Sequence, residues 1–432
     1  MNWKLIKQIF KKKTIHNVGY VYFGSVVNGI SLFLINVLLA RMLPKDVFGI
    51  FSLAVLSIGT VAEMSDFGLD GGLTRFVPYY IKNNQLDKLK QLVKTIWGWR
   101  VWLSTILTFG GIILADVIAK YIFGQEVLTN YLRVSFLGIA GVVLLGFTST
   151  YLKASEKFRY NSAVQILKGV VRLLAIAILL LAGVTDIFVF LGIYIVVPWI
   201  LFFVTYGQLP KDFSKVQIEK TEKKKMHKQL ANFSFWLTVW SFCAIISSRV
   251  DQIMLSHMLG LADVAIYSSA FQFVFFYSIL QQSISAVLMP KASALSDSKV
   301  LIAFVKKVFY YIIPLLMLLA VVIYFSQYLF VFFFGEKYMT AIPVYLVLSY
   351  SMLVSIFQVP ISFIPHIYNK THLIAFSGFL QLITNLALNL YFIPKYGVMG
   401  AAFTFFLGVI ISVVYNVICS VYLLKKGRIN VV

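Results

Sequence analysis

The sequence predicts an all-α integral membrane protein with twelve transmembrane helices arranged as two lobes of six. Three observations carry that expectation. The 432 residues are 60% hydrophobic and only 12% charged, whereas charged residues make up about a quarter of a typical soluble domain. Apolar stretches long enough to cross a hydrocarbon core of about 30 Å recur along the whole chain. Basic residues crowd the loops on one side of those stretches and are sparse on the other. A mean hydropathy of +0.87 excludes both a soluble globular domain and a disordered chain.

Taken in order, the first six spans are Val18 to Ala40, Val47 to Met64, Ile96 to Ala115, Tyr131 to Tyr151, Val164 to Ala182 and Ile187 to Tyr206. The second six are Phe233 to Leu255, Val264 to Val287, Val308 to Phe333, Ala341 to Ile364, Leu373 to Phe392 and Val398 to Leu424. Span 1 follows a basic stretch but is too long for the apolar region of a signal peptide, so it is expected to stay in the membrane. The chain therefore reads as an N-terminal arm (1–17), a six-helix lobe (18–208), a basic linker (209–231), a second six-helix lobe (232–424) and a tail (425–432). Residues 1–13, with Trp3, Ile6, Phe10 and five lysines, suit an amphipathic anchor at the membrane interface.

The positive-inside rule tests the span count independently. With the N-terminus in the cytoplasm, the arm has five basic residues, five follow span 2 and three follow span 4. Seven lie between Lys211 and Lys228, four lead into span 9, one follows span 10 and three end the chain. These 28 of 38 fall on the cytoplasmic side, against five in external loops (Arg41, Lys45, Lys120, Lys337, Lys395). The last five (Arg100, Arg133, Lys168, Arg172, Arg249) lie within spans. The net charge of +22 thus encodes topology, with both termini cytoplasmic, rather than a nucleic-acid footprint.

Six spans per half means both halves enter the membrane from the same side, so any repeat is parallel. Sliding the sequence by 216 places Leu39, Met42, Leu43, Ile50, Ser52 and Ala54 on Leu255, Met258, Leu259, Ile266, Ser268 and Ala270. Two such lobes imply a cleft between them, where transporters bind substrate.

At this point the residues resemble a known family. Leu43 to Ala54 (LPKDVFGIFSLA), followed by Asp66-Phe67-Gly68-Leu69, resembles the N-terminal signature of polysaccharide-lipid flippases of the Wzx type. The second half adds Asp251, Leu259-Gly260, Ile266-Tyr267-Ser268 and Pro290. Asn385-Leu386-Ala387-Leu388-Asn389, then Ile393-Pro394-Lys395-Tyr396-Gly397 and Gly400-Ala401-Ala402, is the most characteristic stretch. The resemblance implies the V-shaped architecture of the superfamily that also holds MATE drug exporters and lipid II flippases. It implies transport of a polyprenyl-diphosphate-linked oligosaccharide from the inner to the outer leaflet of a bacterial or archaeal cytoplasmic membrane. Membrane lipids and a polysaccharide polymerase of the same pathway would be its partners, with no nucleic acid and no cofactor. Two features depart from sister groups: spans 1 and 2 carry no Lys or Arg, unlike lipid II flippases, and span 1 has no carboxylate, unlike bacterial MATE exporters.

The physical task in such transport is to move sugar and a diphosphate past a region that excludes ions. A basic residue at mid-span costs about 2.5 to 3.5 kcal/mol on insertion scales, so each one requires a reason. Arg249 in span 7 reads either as an anion contact or as a side chain snorkelling to headgroups. Asp251, two residues on, faces elsewhere and reads as a proton- or cation-coupling group or as an interhelical ion-pair member. In span 5, Asn161, Gln165, Lys168 and Arg172 form one polar stripe, expected along the cytoplasmic half of the helix. That stripe suits a path for diphosphate or a site for anionic headgroups. Rows in span 11 (Ser377, Gln381, Asn385, Asn389) and span 7 (Ser234, Thr238, Ser241, Ser248) could hold sugar hydroxyls or join helices. Arg100 and Arg133 sit near predicted helix ends and read as snorkelling. Glu63, Asp66, Asp70 and Arg75 cluster at the cytoplasmic end of span 2 and read either as a gate network or as an ordinary loop network.

No nucleotide-binding loop, catalytic triad or zinc-protease motif is present in the sequence. The two cysteines and five scattered histidines show no metal-ligand spacing. Two rival readings remain at this stage. A MATE-like cation or drug antiporter would need acidic residues facing the cleft. A membrane polymerase or ligase would need a large external loop, and every external loop here is short.

Overall fold

The computed structural model describes residues 12–215, 238, 241–293, 295, 298–368 and 370–426. The amphipathic arm, most of the basic linker and the tail after residue 426 lie outside the described residues. Among the described residues the protein is helical, with no strand. Eleven helices among the described residues are long and apolar enough to cross a membrane. A twelfth, over residues 241–258, occupies the place of span 7.

In the first half the spans are Gly19–Met42, Lys45–Met64, Leu86–Ile122, Leu128–Ala154, Phe158–Leu181 and Ile187–Tyr206. After span 7 come Leu261–Ser285, Ser298–Phe334, Glu336–Pro365, Phe376–Tyr396 and Val398–Lys425. Spans 3 and 9 start about three turns earlier than predicted. Their lysine-rich leading turns also carry Leu89, Leu92 and Val93 in one case and Leu301 in the other, all buried. An amphipathic run of that kind continues a helix that a hydropathy criterion cuts short. A separate helix, Leu69–Lys82, precedes span 3 and was not expected. Its Leu69, Leu73 and Val77 pack on Leu92 and Ile96 of span 3 and Phe147 of span 4.

Span 5 shows how these helices stop. Gly183 takes φ +78°, a left-handed conformation that costs glycine nothing. The Val184 amide then donates to the Leu179 carbonyl (2.9 Å) and the Gly183 amide to Leu180 (3.0 Å). These bonds satisfy carbonyls that would otherwise be orphaned at the helix end.

The sequence repeat agrees with element boundaries. Span 1 ends at Met42 and span 2 begins at Lys45. In the second half the corresponding helix ends at residue 258, and the next begins at Leu261.

The chain forms two compact units. The first holds Met1–Leu38, Ala54–Lys120 and Glu126–Thr238; the second holds Leu39–Leu53, Tyr121–Gln125 and Val239–Val432. The first unit is packed around the Leu69–Lys82 helix and around Trp97, which stacks on Phe202 at 5.8 Å. The second is centred on an aromatic cluster in which Phe273 of span 8 meets Phe330 of span 9 and Tyr345 of span 10.

Candidate functional site

In the second unit, span 7 carries Asp251 into a fully buried setting. Asp251 Oδ1 accepts a hydrogen bond from Asn389 Nδ2 of span 11 at 2.7 Å. Its Oδ2 accepts one from Tyr267 Oη of span 8 at 2.8 Å. Both donors are neutral, and Asp251 makes no ion pair among the described residues. One turn earlier on span 7, Ser247 accepts from Asn385 Nδ2 through its carbonyl at 3.3 Å and its hydroxyl at 3.4 Å.

The acceptors left over are as informative as the bonds. Asn385 Oδ1, Asn389 Oδ1 and Thr404 Oγ1 are buried with no hydrogen-bond partner. Asn385 Oδ1 lies against Gly408, one turn beyond Thr404 on span 12. Such groups are normally satisfied. A buried carboxylate with neutral partners and unfilled oxygens from neighbouring helices is an environment that favours a bound proton or small cation. The span 11 row thus meets span 7 here, through Ser247 and Asp251 rather than the predicted span 7 row, whose Ser248 is exposed and whose Ser234 lies outside the described residues. The earlier part of the span 11 row joins span 12 through Ser377 and Ser412 (3.2 Å). Arg249 is half-buried, and at two residues from Asp251 it lies on a different face of the helix.

The first unit holds the polar stripe of span 5. The stripe sits farther along its helix than predicted. Because the helix starts at Phe158 and ends at Leu181, Lys168 and Arg172 straddle its middle, about 15 and 21 Å from its first residue. Arg172 and Asn161 are buried, while Gln165 and Lys168 are half-buried. The Arg172 guanidinium stacks over the Tyr194 ring of span 6, 4.3 Å from its centroid. Its hydrogen bond is a long one, 3.4 Å to the Tyr194 carbonyl. Lys168 feels the field of Glu63 at the end of span 2.

A third cluster departs from the expected gate. Arg100 is only 3% exposed and does not snorkel. It pairs with Asp66 and, at 2.6 Å, with Asp70. Asp70 Oδ2 also accepts from Thr150 of span 4 at 2.9 Å, and Asp66 Oδ1 accepts from the Asp70 amide at 2.9 Å. The unexpected early start of span 3 explains the correction, since it places Arg100 well inside the helix. Arg75, which the sequence groups with these acids, is exposed and lies over the Phe76 ring at 5.5 Å. Arg133 is exposed as expected, 3.4 Å from Asn130.

Two carboxylates share one guanidinium in that cluster, leaving a net negative charge. Burial, with repulsion from Asp70 next, outweighs Arg100 and raises the Asp66 carboxyl above the ordinary aspartate value. An acid whose folded value is raised costs stability while charged, and the cost fades as pH falls through that value. Asp66→Asn, which keeps the acceptor oxygen, should therefore raise Tm at pH 7 by about 2 °C. The gain should shrink as pH falls toward the carboxylate range near about 4. Thermal unfolding in detergent at the two pH values is the check, and a variant less stable than its parent at pH 7 would reverse the sign.

Thr150, Tyr267, Ser247, Thr404 and Tyr194 were not singled out in the sequence. Tyr267 alone left a signal, inside the repeated Ile266-Tyr267-Ser268 segment.

Comparison with known proteins places this architecture. The polysaccharide biosynthesis protein family matches residues 14–296. An uncharacterized membrane protein of Methanocaldococcus jannaschii is 26% identical over 435 residues, covering 94% of this chain and 84% of that protein. A Shigella flexneri protein provisionally named an O-antigen transporter is 25% identical over 405 residues, covering 89% and 93%. Among solved structures, an inward-facing multidrug resistance MATE family transporter superimposes with a TM-score of 0.75 at 11% identity, covering 92% of this chain and 96% of that one. A lipid II flippase in an inward-closed conformation gives 0.74 at 15%, covering 95% and 89%. The fold is that of these transporters.

Proposed function

The chain belongs to the polysaccharide biosynthesis protein family, and on that premise we propose that it is a flippase for polyprenyl-diphosphate-linked oligosaccharides. It moves an O-antigen, capsule or related repeat unit from the inner to the outer leaflet of the cytoplasmic membrane by alternating access. Both termini then face the cytoplasm, and the pathway's polymerase receives the product. The observation that carries this reading is the charge inside the spans. Lys168, Arg172 and Arg249 outnumber Glu63 and Asp251 there, which suits an anionic cargo rather than the cationic cargo of a drug antiporter.

In this reading Arg249, Lys168, Arg172 and Gln165 serve the diphosphate and sugar. Asn385 and Asn389 serve ion coupling rather than sugar contact, because their amides hold Ser247 and Asp251. Asp251, with those amides and Thr404, takes up the proton or monovalent cation whose gradient drives the cycle. Glu63, Asp66 and Arg75 work near the cytoplasmic ends, Asp66 through Arg100.

The test is genetic and chemical. Deletion of the gene in its own host should abolish one surface glycan and cause its lipid-linked precursor to accumulate inside, and the intact gene should restore both. Normal surface glycan in the deletion strain, together with a lost drug resistance, would favour antiport instead.

A further inference from the structure

Span 5 carries more unanswered hydrogen-bonding capacity than its fold requires. The side chains of Asn161, Gln165 and Lys168 make no hydrogen bond to any described residue, and Arg172 makes the single bond at 3.4 Å. Arg172 Nε and Asn161 Oδ1 are buried without a partner, on side chains 5% and 2% exposed. Asn28 of span 1 adds another buried, unpartnered oxygen. Its backbone touches Gly169, where a Cβ would collide with Asn28 Cα and the Ser31 hydroxyl. That contact sets the Asn28 backbone against the helix that carries the stripe.

The charge balance points the same way as the orphaned Arg172 Nε, which is a donor. The Asn28 and Asn161 oxygens are acceptors and suit a hydroxyl or protonated oxygen of the same ligand. Lys168 and Arg172 lie one turn apart, where like charges repel. Glu63 is the acidic group acting on Lys168, and Arg172 has only the Tyr194 ring and carbonyl to offset its burial. An ammonium with three donors and a guanidinium with most of its five unused form a fork suited to a tetrahedral oxyanion. Amide donors from Asn161 and Gln165 extend the same face toward the start of the helix.

We propose that the face of span 5 bounded by Asn28, Lys168, Arg172 and Tyr194 is a phosphoryl-binding site within the first unit. The phosphate belongs to a lipid. Two lipids could bring it, the diphosphate-linked cargo or a bilayer phospholipid headgroup. Only that choice rests on the proposed function, since phosphate recognition itself rests on the geometry.

The experiment uses the purified full chain in phosphatidylcholine nanodiscs, with farnesyl diphosphate, phosphatidylglycerol and inorganic phosphate as probes and thermal shift and native mass spectrometry as readouts. Farnesyl diphosphate should raise Tm in the parent, and Lys168→Gln/Arg172→Gln should weaken its binding about tenfold or more. Stabilisation by phosphatidylglycerol that competes with farnesyl diphosphate and is lost in the same variant assigns the site to headgroups. Stabilisation by farnesyl diphosphate alone assigns it to the cargo. Equal binding of every probe by parent and variant overturns the proposal. Should the double variant fail to fold, Lys168→Met, at a half-buried position, decides the matter by the same comparison. Because the readout is binding, a negative result leaves the transport reading standing, and failed glycan complementation leaves this site standing.

Discussion

Asp251→Asn is expected to lower glycan translocation about a hundredfold or more while leaving the protein inserted and folded, the scale expected when a buried coupling charge is lost. The substitution keeps the shape of the side chain and one acceptor oxygen for Tyr267 or Asn389. It removes the negative charge that makes the pocket attractive to a proton or cation. Asn385, Asn389 and Thr404 of spans 11 and 12 each leave a buried oxygen unfilled, so Thr404→Val should reduce transport by a smaller factor. Counting surface glycan in cells that express each variant at equal levels measures both. If Asp251→Asn transports at the parent rate, the carboxylate serves only to join spans 7, 8 and 11.

Arg100→Ala should have the largest effect on stability, about 3 to 5 kcal/mol, since it leaves two carboxylates facing each other without their shared cation. Arg100 is more than a local contact. It ties span 3 to the turn after span 2, and through Asp70 to Thr150 of span 4. Neutralising all three members with Asp66→Asn, Asp70→Asn and Arg100→Gln should recover most of the loss, because the cost lies in the unpaired charge. Equilibrium unfolding in mixed micelles separates the two outcomes. A triple variant as unstable as Arg100→Ala would assign the loss to packing of the Arg100 stem instead.

The sequence made the membrane architecture legible because bilayer thickness and loop charge act on long, strongly apolar segments. Asp251 and the span 11 row were also visible, since a carboxylate and two asparagines are conspicuous in such a background. Their partnership was not. Asp251 and Asn389 are separated by 138 positions, and spacing within one helix cannot report which helix face will meet another. Arg100 was misjudged for a local reason: lysines at 88, 90 and 94 end a hydropathy window although buried Leu89 and Leu92 continue the helix. Asp66 and Asp70 are conspicuous in the sequence, but their pairing with Arg100 is not, and the nearer Arg75 stands in its place. Thr404 carries no charge and gives no signal until its hydroxyl is found buried and unanswered.

The most direct test of the central claim is translocation by the purified protein in sealed vesicles. A polyprenyl-diphosphate oligosaccharide, placed initially in the inner leaflet only, is scored by its exposure to an external glycan-binding lectin. The account predicts exposure that grows with time, requires the protein and falls sharply in Asp251→Asn. Exposure at the rate of protein-free vesicles, with a proton or sodium gradient of either sign imposed, would contradict it.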